Sequence, residues 1–258
     1  MSSPNPTIFL QQAFVNAIEE IRAILWRGSS THAQDVLSRS ERHGSANESK
    51  KNQGQLISGL RNTDLPNLKA ASTLSFAHQH LLQAAMRAKR SGAGNCHEQA
   101  ILLAAYLWHS AAPEINRIEV VNGGRGFDHV FLVINRPHNT KLNDPASWGE
   151  QTWLVDPWSK TVKNMADHKA VFKAMYEGGR AQTKAMLDAS ISKPWVFTHR
   201  GMDSMTFDLR VKYQILPKVT PYPDSIDLSF SLEKSPLKNR LIKIKVPPRP
   251  LQARALKS

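Results

Sequence analysis

Residues 91–103 read SGAGNCHEQAILL, and this stretch decides the fold. Gly92 and Gly94 free the backbone for a tight turn, and the strongly apolar run from Ile101 to Trp108 then needs a helix. Cys96, the only cysteine in the chain, falls in the first turn of that helix. Unpaired N–H groups and the positive end of the helix dipole favour a thiolate there. A lone cysteine is more often a small buried residue, so Cys96 alone leaves both roles open.

Outward from this helix, the chain alternates between helical and strand-like runs. Upstream, Leu10, Phe14, Ala17, Ile18, Ile21 and Leu25 give an amphipathic helix over residues 8–26. It packs on the core or docks a secretion chaperone or a membrane surface, and core packing is preferred because apolar helix faces usually bury against their own protein. Residues 28–54 are polar and read as a linker or disordered loop. Leu65-Pro66-Asn67 turns into a second helix over 68–87, closed by the basic run 87–90.

Downstream, RIEVV (117–121), DHVFLVIN (128–135) and QTWLVD (151–156) read as strands. A Gly-rich turn (123–126) and a polar loop (136–150) separate them. Two helices are expected over 166–176 and 179–189. A strand over 205–215 follows, with Phe207, Leu209, Val211 and Tyr213 on one face. The fold class is α+β, with the cysteine helix packed on an antiparallel sheet. The expected domains are a helical arm and flexible linker (1–55), a catalytic domain (56–216) and a basic, Pro-rich tail (217–258).

The chain has 258 residues with 34 Lys+Arg against 21 Asp+Glu, a net charge of +13. The last 47 residues hold ten of the bases and three of the acids, so +7 of the excess sits in the tail. The tail suits an acidic partner or a membrane surface. With few aromatics and no recognised module, it points to no specific nucleic acid. One cysteine excludes an intramolecular disulfide and a Cys-rich zinc site, and the scattered histidines form no HExxH pair. No metal or cofactor is expected. There is no Sec-type signal at the start and no apolar run long enough to span a bilayer.

His129 gives Cys96 a chemical context. It opens the apolar strand 130–134, where an imidazole can take the thiol proton and return it to a leaving group. Asp128 would point to the other face of the strand. Asp156 ends WLVD before Pro157 and can orient His129 through its second ring nitrogen. Trp158 shields the pair or fills core. Oxyanion donors come from the Cys96 N–H together with the amide of Asn95 or Gln83. Glu98 in the first helical turn caps the helix or contacts substrate, and capping is preferred.

The ordered set of GxGNCHE, DH and VDPW resembles the papain-like and transglutaminase-like cysteine hydrolases, over residues 68–158. The resemblance implies a Cys96-His129-Asp156 triad and acyl transfer on protein amides, as a protease or glutamine deamidase. Within that superfamily the chain looks most like small bacterial type III effectors. This implies a host-protein substrate and residence in the bacterial cytoplasm before export. The His129–Asp156 gap of 27 residues is longer than the family's short hairpin, and the polar insert 136–150 accounts for it. Rival readings are an arylamine N-acetyltransferase (whose Arg-Gly-Gly before the cysteine is absent here), a cell-wall amidase, and a non-enzymatic binding protein using the basic tail on nucleic acid or membrane.

Overall fold

A computed structural model describes residues 6–62, 74–123, 128–191, 208–223 and 226. Six helices and a five-stranded antiparallel sheet make an α+β fold among these residues. The helices are α1 (Pro6–Ile24), α2 (Ala33–His43), α3 (Ala46–Asn62), α4 (Phe76–Ser91), α5 (Cys96–Ser110) and α6 (His168–Asp188). The strands are β1 (Ile118–Asn122), β2 (Val130–Ile134), β3 (Trp153–Asp156), β4 (Thr161–Asn164) and β5 (Arg210–Ile215), in the order β4-β3-β2-β1-β5.

The alternation of β2 divides its side chains between two cores. Val130, Leu132 and Ile134 face a core built with α1, α4 and α5. Phe131 and Val133 face a second core with Trp148 and the α6 residues Val171, Phe172 and Met175. A strand covered on both faces reads as a continuous apolar run, and DHVFLVIN is one. Helix α5 is apolar nearly all round for the same reason: ten of its residues are buried.

Helix α1 belongs to the core. Phe14, Ile18 and Ile21 are buried, and Phe14 meets Trp153 edge to face at 5.7 Å. Each such side chain contributes about 1.5–3 kcal/mol by leaving water. The apolar stripe of α1 is thus mostly covered by the protein's own core, and Ile8, Phe9 and Val15 are the exposed large apolar residues of α1. No helix among the described residues is long and apolar enough to cross a membrane.

Several sequence expectations are corrected. Residues 28–54 form no linker: they hold α2 and most of α3. Polar segments can be helical when a few positions are buried, and here Val36, Ser49, Gln53 and Ile57 are. The boundary at residue 55 therefore falls inside α3. The two expected helices are one, α6, because Gly179 is a buried position in its stripe and Gly178 and Gly179 cost a helix only about 1 kcal/mol each. Strand β4, a short edge strand with Val162 buried, was not expected.

At the other end, described residues beyond 217 still pack on the fold. Trp108 Nε1 donates to the Thr220 carbonyl at 2.7 Å, Tyr222 packs edge-on against Trp108, and Ile226 is buried. The first part of the second expected helix, the turn at 65–67, most of the Gly-rich turn, residues 205–207 and the basic tail from 227 lie outside the described residues.

Strand β5 departs most from simple alternation. Val120 pairs with Tyr213 but Val121 pairs with Val211, so Lys212 is an extra residue in the ladder. Such a bulge switches the face on which later side chains fall. Leu209 accordingly lies in the α6 core while Tyr213 packs on the α5 core, and Val211 is exposed. These residues do not share a face.

Candidate active site

The start of α5, the start of β2 and the end of β3 meet at one end of the sheet. The first two, with Trp158 just beyond β3, line a cleft of about 530 Å³ that holds Cys96, His129, Asn95, Glu98 and Trp158. Gln83 does not line it. The α4 face turned to the cleft carries His80, Ala84, Arg87 and Ala88, and Gln83 sits at the edge of that face.

The turn into α5 is sterically fixed. Gly92 caps α4 in the left-handed conformation (φ 66°) and donates its N–H to the Ala88 and Lys89 carbonyls. A Cβ there would lie 2.5 Å from Trp26 Nε1, and one on Gly94 would lie 2.6 Å from Glu98 Cβ. Residues 27–28 pair with the same turn: Arg27 N–H donates to the Gly92 carbonyl at 2.7 Å and Gly94 N–H to the Gly28 carbonyl at 3.1 Å. Gly92→Ala is expected to destabilise the fold by about 1–3 kcal/mol through backbone strain and the clash with Trp26. Urea unfolding of the variant checks this.

Asn95 precedes the helix as its N-cap. Its Oδ1 accepts from Ser29 Oγ (2.9 Å), Ser30 N–H (3.0 Å) and Ser30 Oγ (3.1 Å). A backbone N–H can only donate, so the atom it meets is the oxygen, and Nδ2 is the amide group left for the cleft. Glu98 accepts the Asn95 N–H at 3.0 Å, the contact a helix cap requires. Its carboxylate also takes both Arg61 Nε (2.7 Å) and Arg61 Nη2 (3.1 Å). The loop 29–31 was not anticipated, because it lies in the segment that reads as a linker, and Arg61, which follows that segment, carried no signal of its own.

His129 and Asp156 are buried together, with Nε2 and Oδ2 2.7 Å apart. Burial alone would lower the His129 pKa. The charge and hydrogen bond of Asp156, reinforced by the Cys96 thiol, overcome it and raise the pKa to about 10. The imidazolium is thus the resting form at neutral pH. Burial would raise the Asp156 pKa, but His129 and the Ser159 hydrogen bonds hold it below the ordinary carboxylate value. With Nε2 taken by Asp156, the ring nitrogen left for the thiol is Nδ1.

The pair is walled off from water. Trp158 is buried, meets the His129 ring edge-on at 5.3 Å, and donates its backbone N–H to Asp156 Oδ1 at 3.0 Å. Its Nε1 donates to Thr31 Oγ1 at 3.2 Å, and its far side meets His32. Ser159 Oγ donates to Asp156 Oδ2 at 2.5 Å. Asp156 thus has both oxygens engaged, as a buried carboxylate needs.

Two further residues enter the cleft without a sequence signal. Lys212 reaches it from the β5 bulge, with Nζ 3.2 Å from His97 Nε2. Burial, then the charge of Lys212, lowers the His97 pKa to about 4, so His97 is neutral. No protein-family model matches the chain, and no curated protein is similar to it in sequence.

Proposed function

We propose that the chain is a cysteine hydrolase of papain-like or transglutaminase-like type, acting on protein amides. The observation that supports this most is the buried His129–Asp156 pair acting on Cys96 at the start of a helix. A structural cysteine does not need an oriented, carboxylate-held imidazole beside it.

In the proposed mechanism, the Cys96 sulfur, its proton passed to His129, attacks the amide carbon. The tetrahedral oxyanion is held by the Cys96 N–H and Asn95 Nδ2. His129 gives its proton to the departing amine or ammonia as the C–N bond breaks, leaving an S-acyl enzyme. His129 then takes a proton from water, whose oxygen attacks the thioester. The C–S bond of the tetrahedral intermediate then breaks, releasing a carboxylic acid that ionises in water and restoring the Cys96 thiolate beside the His129 imidazolium. Asp156 keeps Nδ1 aimed at the sulfur throughout. Cleavage of a backbone amide makes the enzyme a protease, and loss of ammonia from glutamine makes it a deamidase.

The test is the rate of Cys96 alkylation by iodoacetamide across about pH 5 to 9. Fast labelling of the native protein at pH ~6, lost in His129→Ala, is the expected result. Labelling that rises only in the ordinary thiol range and ignores His129 would return Cys96 to a structural role and favour a binding function for the tail. Mass spectrometry of proteins incubated with the wild type and with Cys96→Ala then separates cleavage from deamidation.

A further inference from the structure

The cleft beside Cys96 carries a cation that forms no ion pair with a carboxylate among the described residues. Besides histidines, it is lined by three basic side chains: Arg61 from α3, Arg87 from α4 and Lys212 from β5. Two carboxylates line it, Glu98 and Asp128. Glu98 is spent on Arg61 and on the helix start, with both oxygens bonded. The field of Asp128 also acts on Arg61. Arg87 donates Nη1 to the Leu60 carbonyl.

Lys212 stands apart from these. Its Nζ partner on the cleft wall is the neutral imidazole of His97, and it forms no ion pair among the described residues. Burial and the charge of Arg61 work against its ammonium, and the charge of Glu98 only partly offsets them. It reaches the cleft because the bulge leaves it outside the β1–β5 ladder, and bulges commonly re-aim a side chain beside a site. The wall residue it touches, His97, directly follows Cys96.

We propose that this cleft selects amide substrates bearing a carboxylate close to the bond attacked, with Lys212 as the cation that anchors it. The inference rests on the hydrolase reading of Cys96 and deepens it: the substrate class is an acidic peptide segment. An incoming carboxylate pairs with the ammonium and opposes the repulsion from Arg61. It also positions the acyl group over the sulfur, which a mobile substrate would not achieve.

The probe is a matched pair of thiol reagents, iodoacetate and iodoacetamide. In each reaction the Cys96 sulfur bonds to the CH2 carbon and iodide leaves, while only iodoacetate carries a carboxylate. The rate ratio of iodoacetate to iodoacetamide is measured at low ionic strength for the wild type, Lys212→Gln and Lys212→Glu. Lys212 is exposed, so both variants are expected to fold. The ratio is expected to fall about 3- to 10-fold in Lys212→Gln and further in Lys212→Glu. Added salt is expected to lower the wild-type ratio towards that of Lys212→Gln. An identical ratio in all three proteins overturns the anchoring role. That failure is distinct from failure of the hydrolase reading, which is decided by iodoacetamide alone on the His129→Ala protein.

Discussion

Asp156→Asn is expected to lower amide turnover by about 10⁴-fold while the helices and sheet persist. The side chains are nearly isosteric, and the hydrogen bonds around Asp156 fix how the asparagine must sit. Trp158 N–H donates to Oδ1, so the amide oxygen takes that position. The amide nitrogen then faces His129 Nε2, where Oδ2 had accepted at 2.7 Å. A donor there forces the ring proton onto Nδ1, the nitrogen aimed at Cys96. His129 in that tautomer cannot accept the thiol proton.

The same change moves the pH profile. Asp156 is the largest influence raising the His129 pKa against burial. If the proposed activity holds, the alkaline limb of kcat/KM, set by loss of the imidazolium, is expected near pH 10 in the wild type and at lower pH in Asp156→Asn. Stability follows with a definite sign. The raised His129 pKa contributes fully below its ordinary value of 6.5 and is lost as pH rises through about 10. The depressed Asp156 pKa contributes above its ordinary value of 3.8 and is lost in acid. The stability gap between wild type and Asp156→Asn is therefore expected to be widest between pH 3.8 and 6.5. Urea unfolding from below pH 3.8 to above pH 6.5 measures it: the gap should narrow on both sides of that window, and a gap independent of pH throughout would show that no ion pair is present.

The elements legible in the sequence are those whose burial is continuous or strictly periodic. Residues 130–134 are buried on both faces and α5 nearly all round, so composition alone carries them. His129 and Asp156 were legible because each interrupts or ends such a run, where a polar group needs a reason. Lys212 had no such signal. Its position depends on a slip in the pairing of β5 with β1, which is a property of two strands together and not of RVKYQI alone. Helices α2 and α3 were hidden for a different reason. Their fixed points include polar groups such as Gln53, whose Nε2 donates to the Gly28 carbonyl at 2.8 Å. A hydrogen bond to another segment leaves no hydropathy pattern. Asn95 shows the cost of missing them: its oxygen is held by Ser29 and Ser30, more than sixty residues away in the chain.

Glu119→Ala is expected to destabilise the protein by about 3–5 kcal/mol, more than any surface substitution. Glu119 is fully buried on β1 and binds two guanidiniums. Oε1 accepts from Arg117 Nη2 at 2.7 Å and Arg136 Nη2 at 2.8 Å, and Oε2 accepts from Arg136 Nε at 2.8 Å. Both arginines are themselves buried. Removing the carboxylate leaves two like charges out of water, close together and without a counter-ion. At about 2–4 °C per kcal/mol, the melting temperature is expected to fall by roughly 6–20 °C. The penalty comes from the abandoned charges, so it should not survive their removal. Replacing Glu119, Arg117 and Arg136 together by apolar residues of similar volume is expected to recover most of the loss. A triple variant as unstable as Glu119→Ala would show instead that β1 depends on these hydrogen bonds themselves. Glu119 is paired near the β2 end marked by Ile134, whereas His129 precedes the opposite end of β2. Cys96 alkylation well below the melting point should thus be unchanged in Glu119→Ala, separating loss of stability from loss of the site.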